Sequence, residues 1–250
     1  MPSHEPRRPL VTQPAIILAA GAGNRLGRLG RRYTKPMVPI AGRPLIDWVI
    51  RRLRSAGLAR LIIVGHATDV GLRQFLATAH PRIEVTTQTE RRGIADALCQ
   101  AWPLIAGDDA CLACACDSLF TRADIRHLIR IGQDHPDTAV IGVLDMGVDA
   151  TGARSAVRLD GAGRVIEIVE KPVAGTLASG LVAVPLYWLP HAVHPYLSQV
   201  RPVGAERYIS TALQDFVRSG GTVLAVRVHD RMEVTTAVDV ARVASYLASR

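Results

Sequence analysis

Short, mostly apolar runs mark the first 145 residues of the chain, at 15–19, 60–65, 110–115 and 138–144, with a further strand-like stretch at 83–87. Runs this short, bounded by glycine or polar residues, predict buried strands. Stretches with helical spacing lie between them. Over 43–56, Leu45, Ile46, Val49, Ile50 and Leu53 share one face while Arg51, Arg52 and Arg54 lie off it. Pro44 suits the first turn of that helix and Gly57 its end. Further helices are predicted over 70–77, from Gly93 through Trp102, and over 122–132. Strands alternating with helices predict an α/β fold: a Rossmann-like mixed, mainly parallel sheet with helices on both faces.

Beyond residue 144 the rhythm changes. Segments 154–159 and 165–169, joined by the turn Asp160-Gly-Ala-Gly163, predict a β-hairpin. A strand near 181–184, a helix over 190–197, an amphipathic helix with Leu213, Phe216 and Val217 inward, and a strand over 222–228 follow. Thr236 and Asp239 have the spacing of a capping box for a last helix.

The first apolar run leads straight into glycines and an arginine: Ala15 to Gly30 reads AIILAAGAGNRLGRLG. Glycines let backbone N–H groups approach an anion and allow a turn with φ > 0. Successive N–H groups form an anion-binding concavity, and Arg25 adds a planar cation for phosphate oxygens. A dinucleotide fingerprint would need glycine where Leu26 stands, and a Walker loop would need Gly-Lys-Ser/Thr. The pattern predicts a phosphate loop of another kind; glycine-rich βα turns without a ligand are the bland alternative.

The next motif is Lys35-Pro-Met-Val-Pro-Ile-Ala-Gly-Arg-Pro-Leu-Ile46, with Lys35 ten residues after Arg25. Together, LAAGAGNRL and KPMVPIAGRPLI resemble the sugar-1-phosphate nucleotidyltransferases, over roughly residues 15–247. Asn24 stands where that family usually has Thr or Ser. The resemblance implies joining a nucleoside triphosphate to a sugar 1-phosphate, giving a nucleotide-sugar and pyrophosphate with Mg²⁺. It puts Ala19, Ala20, Gly21, Ala22, Gly23 and Asn24 around the nucleotide, with Arg25 and Lys35 on the triphosphate. Gln88 and Gly93, five residues apart, would read the base. A Gln side chain offers a donor and an acceptor, which matches an imide edge and favours UTP or dTTP. Asp117, at the end of a strand, would hold Mg²⁺. Glu233 falls on the family's second metal carboxylate, although the Trp, Gly and Pro around it are missing. Glu170-Lys171-Pro172 matches the family's E-K-P, so Glu170, Lys171 and Gly180 would contact the acceptor, under the hairpin as a lid. Ser155-Ala156-Val157 and Ser179-Gly180-Leu181-Val182 depart from Y-G-V and A-G-x-Y, so the acceptor can differ from glucose 1-phosphate. Two alternatives stay open: the same chemistry on a cyclitol phosphate, phosphocholine or phosphonate, and a non-catalytic nucleotide-sensing subunit.

Composition refines this picture. The 250 residues suit one domain. It would comprise a flexible tail over 1–14, a nucleotide-binding part over 15–145, an acceptor-binding part over 146–235 and a C-terminal helix over 236–250. Aromatics are only 4%, so the core must be aliphatic. The net charge of +8 comes from Lys and Arg spread along the chain without an aromatic-studded cluster, so a phosphate-rich small ligand is expected rather than nucleic acid. No apolar run spans a bilayer and the start lacks a signal-peptide pattern, so a cytoplasmic enzyme is expected; a homo-oligomer is compatible with it. Cys111, Cys114 and Cys116 lie in an apolar strand with Cys111 and Cys114 on opposite faces. They read as core residues rather than metal ligands, and a disulfide is not expected.

Overall fold

A computed structural model describes residues 11–147, 152, 154–173, 179–229 and 231–248. The first ten residues of the predicted tail lie outside them. In chain order come β1 (Ala15–Leu18), α1 (Arg28–Arg32), β2 (Pro39–Ile40), β3 (Arg43–Pro44), α2 (Leu45–Ala56) and β4 (Leu61–His66). Next are α3 (Val70–Ala79), β5 (Glu84–Gln88), α4 (Ile94–Ala101), β6 (Ala110–Ala115), β7 (Ser118–Phe120), α5 (Arg122–Asp134) and β8 (Ala139–Asp145). Then follow β9 (Ser155–Leu159), β10 (Val165–Glu170), β11 (Leu181–Pro190), α6 (His194–Gln199), α7 (Ile209–Arg218), β12 (Val223–Arg227), β13 (Arg231–Glu233) and α8 (Ala237–Ala248).

The apolar runs form the centre of one sheet because these strands have both faces to bury. In β1, Ile16 and Leu18 join one core cluster while Ala15 and Ile17 join the other. The second cluster is covered by α2, α3, α5 and α8, and the first by α4, α6 and α7. Helices thus cover both faces of a mainly parallel sheet. The cysteines follow the same alternation: Cys111 faces one cluster, Cys114 and Cys116 the other. All three are buried, and burial pushes the Cys114 thiol up to about 12, so these are inert core thiols.

The nine-stranded sheet runs β5-β4-β1-β6-β11, with β8 and β12 beyond β11. β1 pairs in parallel with both β4 and β6. The chain therefore winds outward from β1 on one side and returns on the other, which places a crevice at the carboxyl ends of β1 and β6. β11 is antiparallel and forked. Its residues Leu186–Pro190 pair with β6, while Val182 pairs with Ala156 of β9. Both partners lie on the edge away from β8, which runs along the other edge. Pro185 sits where the β8 register shifts between Val184 and Tyr187. A proline has no N–H to donate, so it is tolerated at such a bulge.

One expectation changes. The helix predicted over 43–56 is α2 and begins at Leu45, not Arg43, because Arg43–Pro44 pairs with Pro39–Ile40 across a turn at Ala41 (φ 46°) and Gly42 (φ 78°). Pro44 is therefore the residue before the helix. The hairpin β9–β10 forms as predicted, at one edge of the sheet. Its inward residues Ala156, Val157, Val165 and Ile168 are buried, and Gln214 of α7 accepts from the Ile168 N–H at 2.6 Å. The last helix carries the expected capping box: the Thr236 N–H donates to Asp239 at 2.7 Å, and Thr236 Oγ1 accepts from the Asp239 N–H at 3.4 Å.

Two stability predictions follow from this packing. A Cβ on Gly132 of α5 would fall 2.4 Å from the ring of Trp188. Gly132→Ala should destabilise by about 1–3 kcal/mol despite its better helix propensity, read as a lower urea midpoint with unchanged m; a rise in midpoint would contradict this packing.

Asp47 is 3% exposed and accepts from His80, Arg51 and Arg43. Burial pushes its carboxyl up, but the bonds from Arg51, His80 and Arg43 outweigh this and hold it below 3.8. A depressed folded pKa gives stability that is full above the unfolded value and is lost as pH falls through the folded one. Asp47→Asn should therefore cost on the order of 2 kcal/mol at pH 7, and the gap between wild type and variant in urea melts should narrow in strong acid.

Candidate active site

The crevice holds a cleft of about 600 Å³, within the range of small-molecule sites. β1 delivers the glycine loop to it. Leu26 is 1% exposed and anchors the far end of the loop in the core, so Gly21, Ala22, Asn24 and Arg25 stay outside, facing solvent. Gly23 has φ 69°, and a Cβ there would press on Leu26 and Lys35 at 3.0 and 3.2 Å. Its hydrogen defines the turn.

β6 delivers Asp117. The Cys116 N–H donates to the Leu18 carbonyl at 3.0 Å, so the two strand ends stay side by side. Lys35 opens a turn held by buried Pro36 and Val38. Its Nζ donates to Asp117 Oδ2, while Asp117 Oδ1 accepts from Ser118 Oγ at 3.1 Å. The glycine loop, Lys35 and Asp117 thus converge on one wall.

β5 ends at Gln88, which is 3% exposed and lines the same cleft. Its Nε2 donates to the Gly93 carbonyl at 3.1 Å and to Asp96 Oδ2 at 2.8 Å. The amide therefore does not offer the donor–acceptor pair that an imide edge would take. Gly93 is glycine for a separate reason. A Cβ there would stand 2.5 Å from the Arg207 carbonyl oxygen. The Arg207 N–H donates to Arg92 at 2.7 Å, and its carbonyl accepts from the Ala95 N–H at 3.2 Å.

The third wall comes from the hairpin and α7. Glu170 accepts from Ser155 Oγ, and from Ser210 Oγ at 2.7 Å. Tyr187 and Tyr208 complete this wall, and burial raises the Tyr187 phenol, keeping it neutral. Thr235 also lines the cleft, and its buried hydroxyl has no partner among the described residues.

The cleft therefore brings together Ala20, Gly21, Ala22, Gly23, Asn24, Arg25, Lys35, Gln88, Gly93, Asp117 and Glu170 of the predicted set. Four others are not among the described residues lining it. Ala19 is 1% exposed and points into the core. Gly180 instead lets Asp145 and Gly147 approach, since a Cβ there would fall 2.7 Å from the Asp145 carboxylate. Lys171 has a left-handed backbone (φ 45°) that turns its side chain to Tyr208 Oη at 2.9 Å. That hydrogen bond raises its pKa, so it is a full cation at the rim. Glu233 reaches Asp117 only through the backbone, by the Val234 N–H to the Asp117 carbonyl at 2.8 Å. Its carboxylate accepts instead from Arg231 at 2.6 Å and Arg154 at 3.4 Å.

The donor set bears on a metal. Among the described residues no three His, Cys, Asp or Glu side chains converge. Mg²⁺ is typically held by one or two carboxylates plus phosphate oxygens and waters. Asp117 fits that pattern for a metal arriving with a triphosphate, whereas Glu233 is already committed to two arginines. Sequence reasoning passed over Arg91, whose Nε donates to the Ala20 carbonyl at 3.1 Å and which lines the cleft. It also passed over Tyr208 and Ser210. All three lie within segments singled out for other residues, where no spacing rule marks them.

Comparison with known proteins agrees with this architecture. The bifunctional protein GlmU of Methanococcus maripaludis is 27% identical over 213 residues, covering 82% of this chain and 47% of that protein. Glucose-1-phosphate thymidylyltransferase of an Actinoplanes species is 29% identical over 162 residues, covering 63% of this chain and 52% of that protein. The chain thus spans about half the length of these curated relatives. A UDP-glucose pyrophosphorylase solved with UDP-glucose superposes with a TM-score of 0.84 at 18% identity, covering 95% of this chain and 99% of that one, a likeness of fold. The model of the nucleotidyl transferase family matches residues 14–243, and the chain belongs to that family.

Proposed function

We propose that this chain transfers a nucleotidyl group from a nucleoside triphosphate to a sugar 1-phosphate, releasing pyrophosphate. The observation that carries this reading is the convergence of the glycine loop, Lys35 and Asp117 on one wall of the cleft, with Glu170 on another. Both substrates are anions, so the protein must offset their repulsion and hold them in line. The exposed loop amides and Arg25 take the triphosphate and the charge that grows on the departing pyrophosphate. Lys35 spans the loop and Asp117, so it orients the phosphates against that carboxylate. Bound at Asp117, Mg²⁺ would supply charge neutralisation across the phosphate oxygens.

On the acceptor side, Glu170 is fixed by two serine hydroxyls and has lone pairs left for sugar hydroxyls. Lys171 at the rim meets the acceptor phosphate. The attacking phosphate is already a good nucleophile, so no covalent enzyme intermediate is required. The kept cations and Asp117 favour catalysis over a purely sensing role. No helix of the described residues is long and apolar enough to cross a membrane, which suits a cytoplasmic enzyme acting on small phosphorylated metabolites.

A pyrophosphate-release screen of nucleoside triphosphates against a panel of phosphorylated acceptors tests the reading. Turnover should require Mg²⁺ and vanish in excess EDTA. Asp117→Ala should lose at least ~10² in turnover. Activity that persists in EDTA would remove the metal from the proposal, and no release with any pair would remove the reaction.

A second prediction separates the two sides. Arg25→Ala should lower kcat strongly, because its charge matters most in the transition state. Lys171→Ala should mainly raise the acceptor KM, and Lys171→Arg should rescue only in part. Steady-state kinetics with each substrate varied in turn checks this. A Lys171→Ala enzyme with an altered KM for the triphosphate alone would reverse the assignment.

A further inference from the structure

A second hollow, of about 370 Å³, lies beside the cleft and shares Arg91 with it. Two loops form it: residues 90–92, between β5 and α4, and residues 202–207, between α6 and α7. Backbone bonds fix the loops to each other. The Arg207 N–H donates to the Arg92 carbonyl at 2.7 Å, and the Arg207 carbonyl accepts from the Ala95 N–H at 3.2 Å. The second loop is itself closed, because Val203 and Glu206 exchange backbone bonds at 2.8 and 3.3 Å around Gly204 and Ala205. The hollow is thus built by the backbone, and its side chains do not have to hold it together.

Those side chains are strongly basic. Arg91, Arg92 and Arg207 line the hollow with one carboxylate, Glu90. Glu206, the other carboxylate of these loops, lines the cleft beside Tyr208 instead. Glu90 pairs with Arg92 at 2.6 Å, but both side chains are more than half exposed. Water screens such a pair, so Arg92 can leave it with little loss. Among the described residues no carboxylate pairs with Arg91 or Arg207, and Arg91 uses only its Nε, on the Ala20 carbonyl at 3.1 Å. Three guanidiniums against one carboxylate leave two positive charges in the hollow. A dianion neutralises them, and the planar forks match the oxygens of a phosphate. The volume is that of a small-molecule site, so the body of a small ligand fits beside its phosphate.

We propose that this hollow is a second binding site, separate from the cleft, for a phosphate dianion: the monoester of a small metabolite or the free ion. The site does not depend on the reaction proposed for the cleft. Arg92 and Arg207 belong to it alone, while Arg91 faces both cavities.

Residue-by-residue arginine modification tests it. The full chain is treated with phenylglyoxal at constant ionic strength, with chloride as the reference anion, and the rate at each arginine is read by peptide mass mapping. With a Kd on the order of 1 mM, ~10 mM inorganic phosphate should slow modification of Arg92 and Arg207 roughly tenfold. Arg218, 72% exposed at the far end of α7, should react as before. Arg25 reports on the cleft in the same sample. Glucose 6-phosphate is run in parallel. Whichever anion protects at the lower concentration identifies the source, and either result supports the site. Protection of Arg25 alone, or equal slowing by chloride, would overturn the site while leaving the functional reading intact. Arg207→Gln keeps both backbone bonds of residue 207. It should raise the phosphate concentration that protects Arg92 at least about tenfold and leave protection of Arg25 unchanged, and Arg207→Lys should restore Arg92 in part. Unaltered protection of Arg92 in Arg207→Gln would overturn the part given to Arg207. The wild-type measurement needs no variant to fold.

Discussion

The sheet depends on a single strand with a proline in its middle. β11 is the element that pairs with β6 of the first half and with β8 and β9 of the second. A strand has only two edges, so serving three partners means dividing one edge along its length. Pro185 falls at the division, where the ladder to β8 slips. Its missing N–H leaves no donor stranded. The gap between the end of β6 and the start of β9 is where Asp117 and Ser155 meet the same cleft. The site therefore exists because the sheet is not continuous there.

The two sides of that cleft are built by different means. The side with the glycine loop uses backbone groups and two cations, which suits a ligand whose charge is its main feature. The other side uses hydroxyls, tyrosines and a carboxylate held by serines, which suits a neutral ring bearing hydroxyl groups. Lys35 and Asp117 join the two strand ends at the switch in strand order. With Lys35 beside it, the carboxylate of Asp117 is not left as an isolated buried charge.

Much of this was legible in the sequence, for physical reasons. β1, β4, β6 and β8 are buried on both faces, so each appears as an apolar run, and the helices between them keep a clear stripe. β11 was legible only to Val184, because Pro185 reads as a strand breaker; the bulge that absorbs it depends on distant partners. The same limit applies at the site. The glycine loop, Lys35 and Asp117 follow local motifs and do converge. Gly180 and Glu233 matched motifs too, but their surroundings differ: Gly180 admits Asp145, and Glu233 is claimed by Arg231 and Arg154. The orientation of Gln88 is set by Asp96 eight positions later, a contact that spacing does not reveal.

The close approach of Gly93 to Arg207 has a thermodynamic consequence. Residues 92–95 and Arg207 share two backbone hydrogen bonds, and no side chain separates them. Tyr208, which holds Lys171, is the next residue along. Under the proposed function, any ordering that a bound base imposes on the 88–96 segment would be passed to Tyr208 and the wall that holds Glu170. An acceptor arriving second would then have less conformational entropy to lose. Linkage makes the relation reciprocal: whatever the nucleotide contributes to acceptor affinity, the acceptor returns to the nucleotide.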